Sequence, residues 1–362
     1  MSNNFLTGLV KELDDEFTSM ASDGISSAEF TGTIDSGSLI FNGLVSGSLF
    51  GGIADNKAMV LAGESATGKT FFVLGIIKYF LDKYKDSGVI YFDTEAAVTK
   101  DMMIQRGIDP TRVIISEPET IQQFRTQALK FVEKYNATPL KNRPKMAMVL
   151  DSLGALSTSK EMADSSEGKD TRDMTRQQII RGTFRTVRLK LAKAGVPMFV
   201  TNHTYLGIGG MYPTQEMSGG GGAKYAGDTI LYLSKRKEKD GKDVIGNIIH
   251  VKTYKSRLSK ENQMVDVLLT YNKGLDRYYG LLPLAEKHGI VKKVSTRFEF
   301  PDGTKAFEKA INKNPEKYWT EDILMLLEAA AQKEFKYGMG EIMSDDIDGE
   351  TDEAFDDASE EA

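Results

Sequence analysis

Hydrophobic residues along the first two thirds of the chain follow two alternating patterns. Short, strongly apolar runs predict buried strands, and they occupy residues 57–63, 89–93, 146–151 and 196–202. Apolar residues spaced three or four apart predict helices, and these cover about 69–84, 119–135 and 174–194. Apolar strands that alternate with helices are typical of a mostly parallel sheet covered by helices on both faces. This part of the chain therefore predicts an α/β fold.

The pattern changes after Asp228. The segments TILYLSKR, NIIHVKTYKS and MVDVLLTYN resemble strands and are joined by short polar connections, which favours antiparallel strands at the edge of the sheet. Over about 284–340, one strand-like piece (RFEFPDGT) and two helical patterns predict a small α/β unit. At the other end of the chain, apolar residues four apart over 5–17 predict an amphipathic helix.

The same patterns predict four parts of the chain. A helical N-terminal arm is expected at 1–29, the main α/β core at 30–283, a small C-terminal domain at 284–343 and a disordered acidic tail at 344–362. The tail holds ten acidic and no basic residues, and without it the chain has 46 basic against 42 acidic residues. A mildly basic body with an acidic tail is compatible with nucleic-acid binding. The alternative is a solvated tail that only aids solubility.

Composition narrows the classes of protein that remain. The chain has no cysteine, which excludes disulfides, thiol nucleophiles and thiolate zinc sites, and its three histidines are scattered. No apolar run approaches the roughly 18 residues that a membrane span needs. Acidic residues stand near the N-terminus where a signal peptide carries basic ones. We therefore expect a cytoplasmic protein that does not interact with membranes.

The most specific motif is GESATGKT at residues 63–70, which has the spacing G-x-x-x-x-G-K-T of a phosphate-binding P-loop. It lies between a predicted strand and a predicted helix, as this motif requires. Backbone N–H groups of such a loop point at phosphate oxygens, and the helix N-terminus adds positive potential. The predicted ATP-binding residues are Gly63, Glu64, Ser65, Ala66, Thr67, Gly68, Lys69 and Thr70.

Lys69 is expected to reach the β- and γ-phosphates, and the Thr70 hydroxyl to ligate Mg²⁺. Asp151 ends the apolar run MAMVLD, so it is expected at the same sheet edge as a second Mg²⁺ group, acting through water. Glu95 follows VIYFDT and is a candidate for orienting the attacking water, whereas Asp93 is expected to lie within its strand. A solvated or capping role for Glu95 is the alternative.

The segments GGIADNKAMVLAGESATGKT, VIYFDTEAA, VLDSLGAL and FVTNHTY occur in the order and spacing found in the bacterial RecA family. Within that family the chain most resembles the UvsX recombinases of T4-like bacteriophages, notably through SLGALSTSKE, TNHTY and GLLPLAEKHGIV. The resemblance covers about residues 30–335. It implies a RecA-like ATPase core, an N-terminal helix that docks on the next protomer with Phe30 as a candidate contact, and an autoinhibitory acidic tail.

The resemblance also implies roles for individual residues. Glu95 matches the water-activating glutamate, and His203 matches a polar sensor of the γ-phosphate. Lys255 and Arg257 match cations that reach the ATP of a neighbouring protomer; they stand on alternate strand positions and so face the same side. Met102 stands where bacterial members carry an aromatic residue against adenine. The alternatives are a hydrogen-bonded histidine at a strand end and two solvated surface cations.

Two long segments, about 157–173 and 204–223, are expected as loops that bind DNA. The glycines are expected to allow close approach of a DNA backbone, the cations to neutralise phosphates, and Tyr205, Met211 and Tyr212 to stack on bases. The predicted DNA-binding residues are Arg172, Arg176, Tyr205, Met211, Tyr212, Gly219, Gly220, Gly221, Gly222 and Lys224. A flexible linker is the alternative for the glycine-rich segment.

Together these observations predict a DNA-dependent ATPase that uses ATP and Mg²⁺, forms helical filaments on single-stranded DNA and exchanges strands with homologous duplex DNA. The resemblance implies recombination, repair and recombination-dependent replication in a phage-infected bacterium, with a loading mediator and a single-stranded-DNA-binding protein as partners. Two alternatives remain: a hexameric DNA helicase, which would be expected to carry an N-terminal collar domain, and a P-loop protein that binds ATP without hydrolysing it.

Overall fold

The computed structural model describes most of the chain. The described residues are 2–13, 18–23, 29–30, 32–169, 173–206, 215–240, 243–271 and 274–338. Within these ranges no helix is both long and apolar enough to cross a membrane.

One large mixed sheet dominates the described residues. Its strands are β3 (Ala58–Gly63), β4 (Gly88–Asp93), β5 (Val113–Ser116), β6 (Met146–Asp151), β7 (Met198–Leu206), β8 (Gln215–Met217), β9 (Thr229–Asp240), β10 (Asp243–Lys255), β11 (Met264–Thr270) and β12 (Gly274–Leu275). Two small sheets are formed by β1 (Thr33–Ile34) with β2 (Ile53–Ala54), and by β13 (Lys292–Val294), β14 (Arg297–Glu299) and β15 (Lys305–Ala306).

The large sheet has a parallel part and an antiparallel part. In the order β12-β11-β10-β9-β3-β7-β6-β4-β5, pairing is parallel from β9 to β5 and antiparallel from β12 to β9, and β8 pairs with the end of β7. The predicted change of pattern after Asp228 is confirmed, because β9, β10 and β11 form antiparallel pairs at the sheet edge.

The helices lie mainly between the strands. They are α1 (Ser2–Leu13), α2 (Leu39–Ser46), α3 (Lys69–Lys83), α4 (Lys100–Gln105), α5 (Ile121–Ala137), α6 (Ser159–Ser166), α7 (Arg176–Lys193), α8 (Gly220–Ala223), α9 (Leu281–Lys287), α10 (Glu308–Lys313), α11 (Pro315–Tyr318) and α12 (Glu321–Phe335). The three predicted helices of the core correspond to α3, α5 and α7, and the predicted N-terminal helix corresponds to α1.

The parallel strands bury both faces. In β3, Met59 and Leu61 belong to one hydrophobic cluster, whereas Val60 and Ala62 belong to a second cluster on the opposite face. The first cluster also receives Phe72 and other residues of α3, and the second receives residues of α5 and α7. A strand buried on both sides is apolar throughout, which explains why these runs were visible in the sequence.

The predicted loop at 157–173 is wrong in part, because α6 occupies its first half. Thr158 caps this helix: its hydroxyl accepts a hydrogen bond from the backbone N–H of Glu161, whose carboxylate accepts one from the Thr158 N–H. This reciprocal pair satisfies two backbone donors that a helix start leaves open. The predicted loop at 204–223 also contains the end of β7, then β8 and α8, while residues 207–214 lie outside the described residues.

The C-terminal helices pack on the core. Phe298, Trp319, Leu327 and Phe335 belong to the same buried cluster as α2 and α3. The Glu328 carboxylate also accepts a hydrogen bond of 2.7 Å from the backbone N–H of Leu49. The predicted boundary between 283 and 284 falls within α9, and the predicted division into four parts remains a prediction.

We expect Phe335→Ala to lower the free energy of unfolding by roughly 3 kcal/mol, because it removes a large side chain that is 3% exposed against α2. Leu326→Ala is the matched control, since Leu326 lies on the same helix and is 51% exposed. Denaturant unfolding of both variants measures the difference. Equal effects would contradict the docking of α12 on the core.

Candidate functional site

A cavity of about 470 Å³ opens where β3, β4, β6 and β7 end. Because these strands are parallel, the residues that follow them meet at one edge of the sheet, where ligands bind in open α/β folds. The cavity is lined by residues of the P-loop, by the ends of β4, β6 and β7, and by the antiparallel strands: Ser65, Ala66, Gly68, Lys69, Thr70, Phe71, Glu95, Arg106, Asp151, His203, Lys235, Asn247, Leu269, Thr270 and Tyr271.

The P-loop connects β3 to α3 by a tight turn. Gly68 has φ +97°, a conformation that favours glycine, and it immediately precedes the first residue of α3. A Cβ on Gly63 would lie 2.6 Å from the Leu233 carbonyl oxygen on β9, so the strand pairing also requires glycine there. The free N–H groups at the start of a 15-residue helix therefore face the cavity region.

Lys69 is buried and points back into the loop. Its Nζ donates hydrogen bonds of 3.0 and 2.8 Å to the carbonyl oxygens of Gly63 and Glu64. Burial lowers the pKa of Lys69, and the nearby carboxylates of Glu95 and Asp151 oppose that shift. The ammonium is thus held beside the cavity by neutral carbonyl oxygens, which an anionic ligand can replace as its partners.

Asp151 is fixed from two sides at the end of β6. Its Oδ2 accepts a 2.6 Å hydrogen bond from the Tyr91 hydroxyl, and its Oδ1 accepts one from the Thr201 hydroxyl. Burial and the Asp151 carboxylate raise the pKa of Tyr91, which keeps the phenol protonated as a donor. The orientation of the carboxylate is therefore set by β4 and β7 before any ligand binds.

Glu95 lies beside His203 across the cavity. Its Oε1 accepts a 2.5 Å hydrogen bond from the Ser152 hydroxyl and lies 2.7 Å from Nε2 of His203. Burial alone raises the pKa of Glu95, but these two hydrogen bonds and the charges of His203 and Lys69 outweigh it, so the pKa is lowered overall. Glu95 is held ionised, in the form that accepts a proton or orients a water.

Asp93 is occupied in a different way. Its buried carboxylate accepts hydrogen bonds from the backbone N–H groups of Glu95, Ala97 and Val98, at 3.1, 3.2 and 2.9 Å. It therefore shapes the turn that presents Glu95, and its place at the end of β4 agrees with the expectation from the sequence.

Met102 lies next to the main cavity, not in it. It lines an adjoining space of about 510 Å³ together with Phe71, Arg106 and Tyr271, and these three residues also line the main cavity. The Arg106 guanidinium stacks 4.0 Å from the centre of the Phe71 ring. A flat, partly apolar group attached to a phosphate chain in the main cavity would reach this space.

Sequence reasoning missed four residues that line the cavity: Arg106, Lys235, Asn247 and Tyr271. Lys235 donates a hydrogen bond from β9 to the carbonyl oxygen of Ala66 in the P-loop. The parallel register that places Leu233 beside Gly63 brings Lys235 there. No local motif marks this contact, because 169 residues separate Lys235 from Ala66 along the chain.

Lys255 and Arg257 do not line this cavity. Lys255 pairs with Ile230, near the start of β3, whereas the P-loop follows the end of β3. Six strand residues separate the two ends, which corresponds to roughly 20 Å. On their own chain these two cations are therefore too far away to contact a ligand at the P-loop.

The predicted DNA-binding residues are only partly brought together. The exposed Tyr205 stands at the end of β7, two residues beyond His203, and the exposed Lys224 directly follows α8. Arg176 begins α7, but its guanidinium pairs with the Glu161 carboxylate at 3.0 Å. Arg172, Met211 and Tyr212 lie outside the described residues.

The four glycines at 219–222 have a structural role that the sequence did not show. A Cβ on Gly222 would lie 2.5 Å from the Gln177 carbonyl oxygen, and one on Gly219 would lie 2.7 Å from Cδ1 of Ile180. These glycines thus allow α8 to pack closely against α7. A role in approaching a DNA backbone remains a prediction for them.

The donor set fits a nucleotide triphosphate with Mg²⁺. Lys69 and the start of α3 suit phosphate oxygens, and the Thr70 hydroxyl and Asp151 carboxylate are oxygen ligands of the kind that Mg²⁺ prefers. Among the described residues, no group of three or more carboxylate or histidine side chains forms a metal site by itself. A Mg²⁺ ion here would therefore depend on phosphate oxygens and water, as is usual for this metal.

Comparison with known proteins gives matches over most of the chain. The RecA N-terminal domain family matches residues 7–276. The recombination and repair protein of Enterobacteria phage T4 is 31% identical over 254 residues, which cover 70% of this chain and 63% of that protein. The RecA protein of Thermotoga sp. (strain RQ2) is 29% identical over 248 residues, which cover 67% of this chain and 65% of that protein.

The matched regions thus span slightly less than two thirds of these two relatives. Among solved structures, the crystal structure of the RadB recombinase has a TM-score of 0.47 and 20% sequence identity, covering 68% of this chain and 99% of that one. This structural similarity is too low to bear on function.

Replacing Ser152 and His203 together by alanine is expected to raise the pKa of Glu95, because burial then acts without the two hydrogen bonds that oppose it. In the unaltered protein, Glu95 stabilises the fold above the ordinary glutamate pKa of about 4.3, and that contribution is lost as the pH falls through its lowered pKa. Carbon-13 NMR titration of the Glu95 carboxyl measures the shift. Ser65→Ala is the control, and an unchanged Glu95 titration in the double variant would contradict this account.

Proposed function

This chain belongs to the RecA family, and we propose that it is an ATP-dependent DNA strand-exchange recombinase that forms helical filaments on single-stranded DNA. It would pair that strand with homologous duplex DNA and hydrolyse ATP to ADP and phosphate in a DNA-stimulated reaction. The observation that carries the proposal is the hydrogen-bonded pair of Glu95 and His203 beside a complete P-loop, two residues before the segment expected to bind DNA.

In the proposed reaction, Lys69 and the N-terminus of α3 bind the phosphates, while Thr70 and Asp151 hold Mg²⁺. Bound Mg²⁺ supplies positive charge to the phosphate oxygens. Glu95, kept ionised by its surroundings, orients a water molecule for attack on the γ-phosphate. The attack needs no change of protonation state at Glu95 beforehand, which favours this residue over the fully engaged Asp93.

His203 is positioned to couple the nucleotide to DNA. Its ring contacts Glu95, and its carbonyl oxygen accepts a 2.8 Å hydrogen bond from the N–H of Ser218. Ser218 in turn accepts a hydrogen bond from the Asn202 side chain. A shift of the His203 ring upon nucleotide binding would therefore reach the segment that contains β8 and α8. Differential affinity of the two filament states for ATP would couple hydrolysis to DNA release.

A complete site would need a second protomer. Lys255 and Arg257 lie at the opposite end of β3 from their own P-loop, so their proposed contact with ATP must come from a neighbouring chain. This arrangement distinguishes the proposal from a self-sufficient ATPase. A helical filament supplies the contact at every site, and so would a closed hexameric ring, which is the alternative for a DNA helicase.

Two exposed apolar surfaces suit such an assembly. Helix α1 exposes Phe5, Leu9 and Leu13 by 72%, 42% and 52%, and Phe30 follows with 42% exposure. Strand β5 ends the large sheet and exposes Ile114 and Ile115 by 57% and 42%. An open strand edge with apolar side chains invites pairing with another chain. We infer that the arm of one protomer docks on the β5 edge of the next.

The remaining parts of the proposal concern the cellular context. Single- and double-stranded DNA, a loading mediator and a single-stranded-DNA-binding protein would be the partners, in the cytoplasm of a phage-infected bacterium. Recombination, repair and recombination-dependent replication would be the processes served. The acidic tail at 344–362 would compete with DNA for the basic residues of the core.

We expect Glu95→Gln to abolish DNA-stimulated ATP hydrolysis while leaving nucleotide binding intact, because the amide keeps the shape of Glu95 without its charge. Phosphate release with and without single-stranded DNA, and negative-stain microscopy of the same samples, test this prediction. DNA-stimulated turnover and helical filaments for the unaltered protein would support a recombinase. Closed rings that translocate would favour a helicase, and binding without turnover would contradict the proposed enzyme.

The shared site makes a second prediction. Glu95→Gln and Arg257→Gln proteins are each expected to be inactive, whereas a mixture of the two should regain part of the activity in coassembled filaments. Some interfaces in the mixture join an intact Glu95 to an intact Arg257. Phosphate release by the mixture, compared with each variant alone at the same total concentration, measures the recovery. No recovery despite coassembly would contradict a contact between protomers.

A further inference from the structure

A second charged cavity lies at the opposite end of β3 from the P-loop. Its volume is about 530 Å³, and its walls come from α7, the residue before β3, and the segments before β9 and after β10. The charged residues that line it are Lys57, Arg185, Arg188, Asp228 and Arg257. Asp228 is the one carboxylate among them, so the described lining carries an excess of positive charge.

Asp228 is held rigidly in this cavity. Its backbone N–H donates a 2.8 Å hydrogen bond to the Ala58 carbonyl oxygen, and its Oδ2 accepts one of 3.0 Å from the Ala58 N–H. These two bonds fix Asp228 to the first residue of β3. The carboxylate therefore has one oxygen, Oδ1, left for the surrounding cations.

Two arginines share that oxygen on unequal terms. The Arg188 guanidinium, largely buried on α7, donates one hydrogen bond to Oδ1 and another of 2.8 Å to the Tyr225 carbonyl oxygen. Arg257 approaches the same Oδ1 at 3.5 Å, with its side chain 63% exposed. Arg188 thus makes a close, charge-assisted contact, whereas the contact of Arg257 is long and weak.

The surrounding cations repel one another. Burial lowers the pKa of Lys255, and the charges of Arg188 and Arg257 lower it further, although Asp228 partly opposes them. The Nζ of Lys255 is bound by the carbonyl oxygens of Gly227 and Lys224, directly beside Asp228. Nε of Arg188 is buried without a hydrogen-bond partner among the described residues. This region is therefore short of negative charge.

We propose that Asp228 tethers Arg257 on its own protomer, and that Arg188, by occupying the same carboxylate oxygen, keeps the tether weak enough for Arg257 to transfer to the nucleotide of a neighbouring protomer. Arg188 and Asp228 are positioning residues in this account, since they act through Arg257. The inference rests on the proposed contact of Lys255 and Arg257 with a neighbour's ATP. The phosphates supply the negative charge that the cavity lacks.

The tether makes a specific prediction about charge. Without Arg188, the negative charge of Asp228 is shared among fewer cations, and Arg257 is drawn toward it. Arg188→Gln is therefore expected to lower DNA-stimulated kcat on the order of tenfold, the loss of roughly one charged contact. Nucleotide binding by free protomers should not change, because their P-loops lie at the other end of β3.

A charge-balanced double variant separates positioning from mere structural support. Adding Asp228→Asn to Arg188→Gln removes the tether itself, so turnover is expected to return to at least the unaltered level. Asparagine can still accept the hydrogen bond from the Ala58 N–H. If Arg188 and Asp228 only supported the fold, the double variant would be as slow as the single variant, or slower.

The experiment measures phosphate release with saturating single-stranded DNA, together with binding of a fluorescent ATP analogue by unassembled protein. Lys190→Gln is the matched control, since it removes an exposed cation from the same helix. Turnover of Arg188→Gln equal to this control, or a double variant that stays about tenfold slow, would overturn the tether. If Arg188→Gln does not fold, the double variant decides alone by the same criterion.

Arg257→Gln is measured in the same series and distinguishes the two levels of the argument. Full DNA-stimulated turnover in Arg257→Gln would overturn the proposed contact between protomers. Loss of turnover in Arg257→Gln with no effect of Arg188→Gln would overturn only the tether.

Discussion

The parallel pairing of β3 with β7 and β9 is the constraint on which the rest of the structure depends. This register sets Gly63 beside His203 on one side and beside Leu233 on the other. It therefore brings the P-loop, the His203–Glu95 pair and Lys235 to one end of the strand, and places Ala58 and Asp228 at the other end. Because a strand is stiff and extended, the charged groups at its two ends cannot meet within one chain.

Charged groups at both ends are held by neighbours that a ligand or another protomer can replace. Lys69 donates to two carbonyl oxygens of its own loop, and Arg257 makes one long contact with a carboxylate. Burial lowers the pKa of Lys69, so its ammonium gains from any additional negative charge. Asp151 and Asp228, in contrast, are fixed by several hydrogen bonds each. The carboxylates provide the fixed frame, and the cations are the groups that can change partners.

The sequence predicted the elements whose pattern is strong and missed those whose environment is unusual. The parallel core strands and α3, α5 and α7 were predicted because burial gives them a clear period or a continuous apolar run. Helix α2 was missed because residues 39–45 are buried on all sides and show no polar face. Edge strand β5 was missed because its apolar residues lie in solvent. Motif and family resemblance identified Lys69, Asp151, Glu95 and His203, but no local pattern marks Lys235, Arg188 or Asp228, whose contacts join distant segments.

Separation of the two ends of β3 also explains why assembly and catalysis would be linked in this chain. A protomer that carries the P-loop at one end of the strand and an under-neutralised group of cations at the other end presents complementary surfaces on opposite sides. A bound nucleotide would add negative charge at the first surface, and the cations of the next chain would gain from approaching it. Since each chain offers both surfaces, the contact is heterologous and repeats without end unless a ring closes. Nucleotide binding would then favour growth of a filament by the same interaction that completes the site.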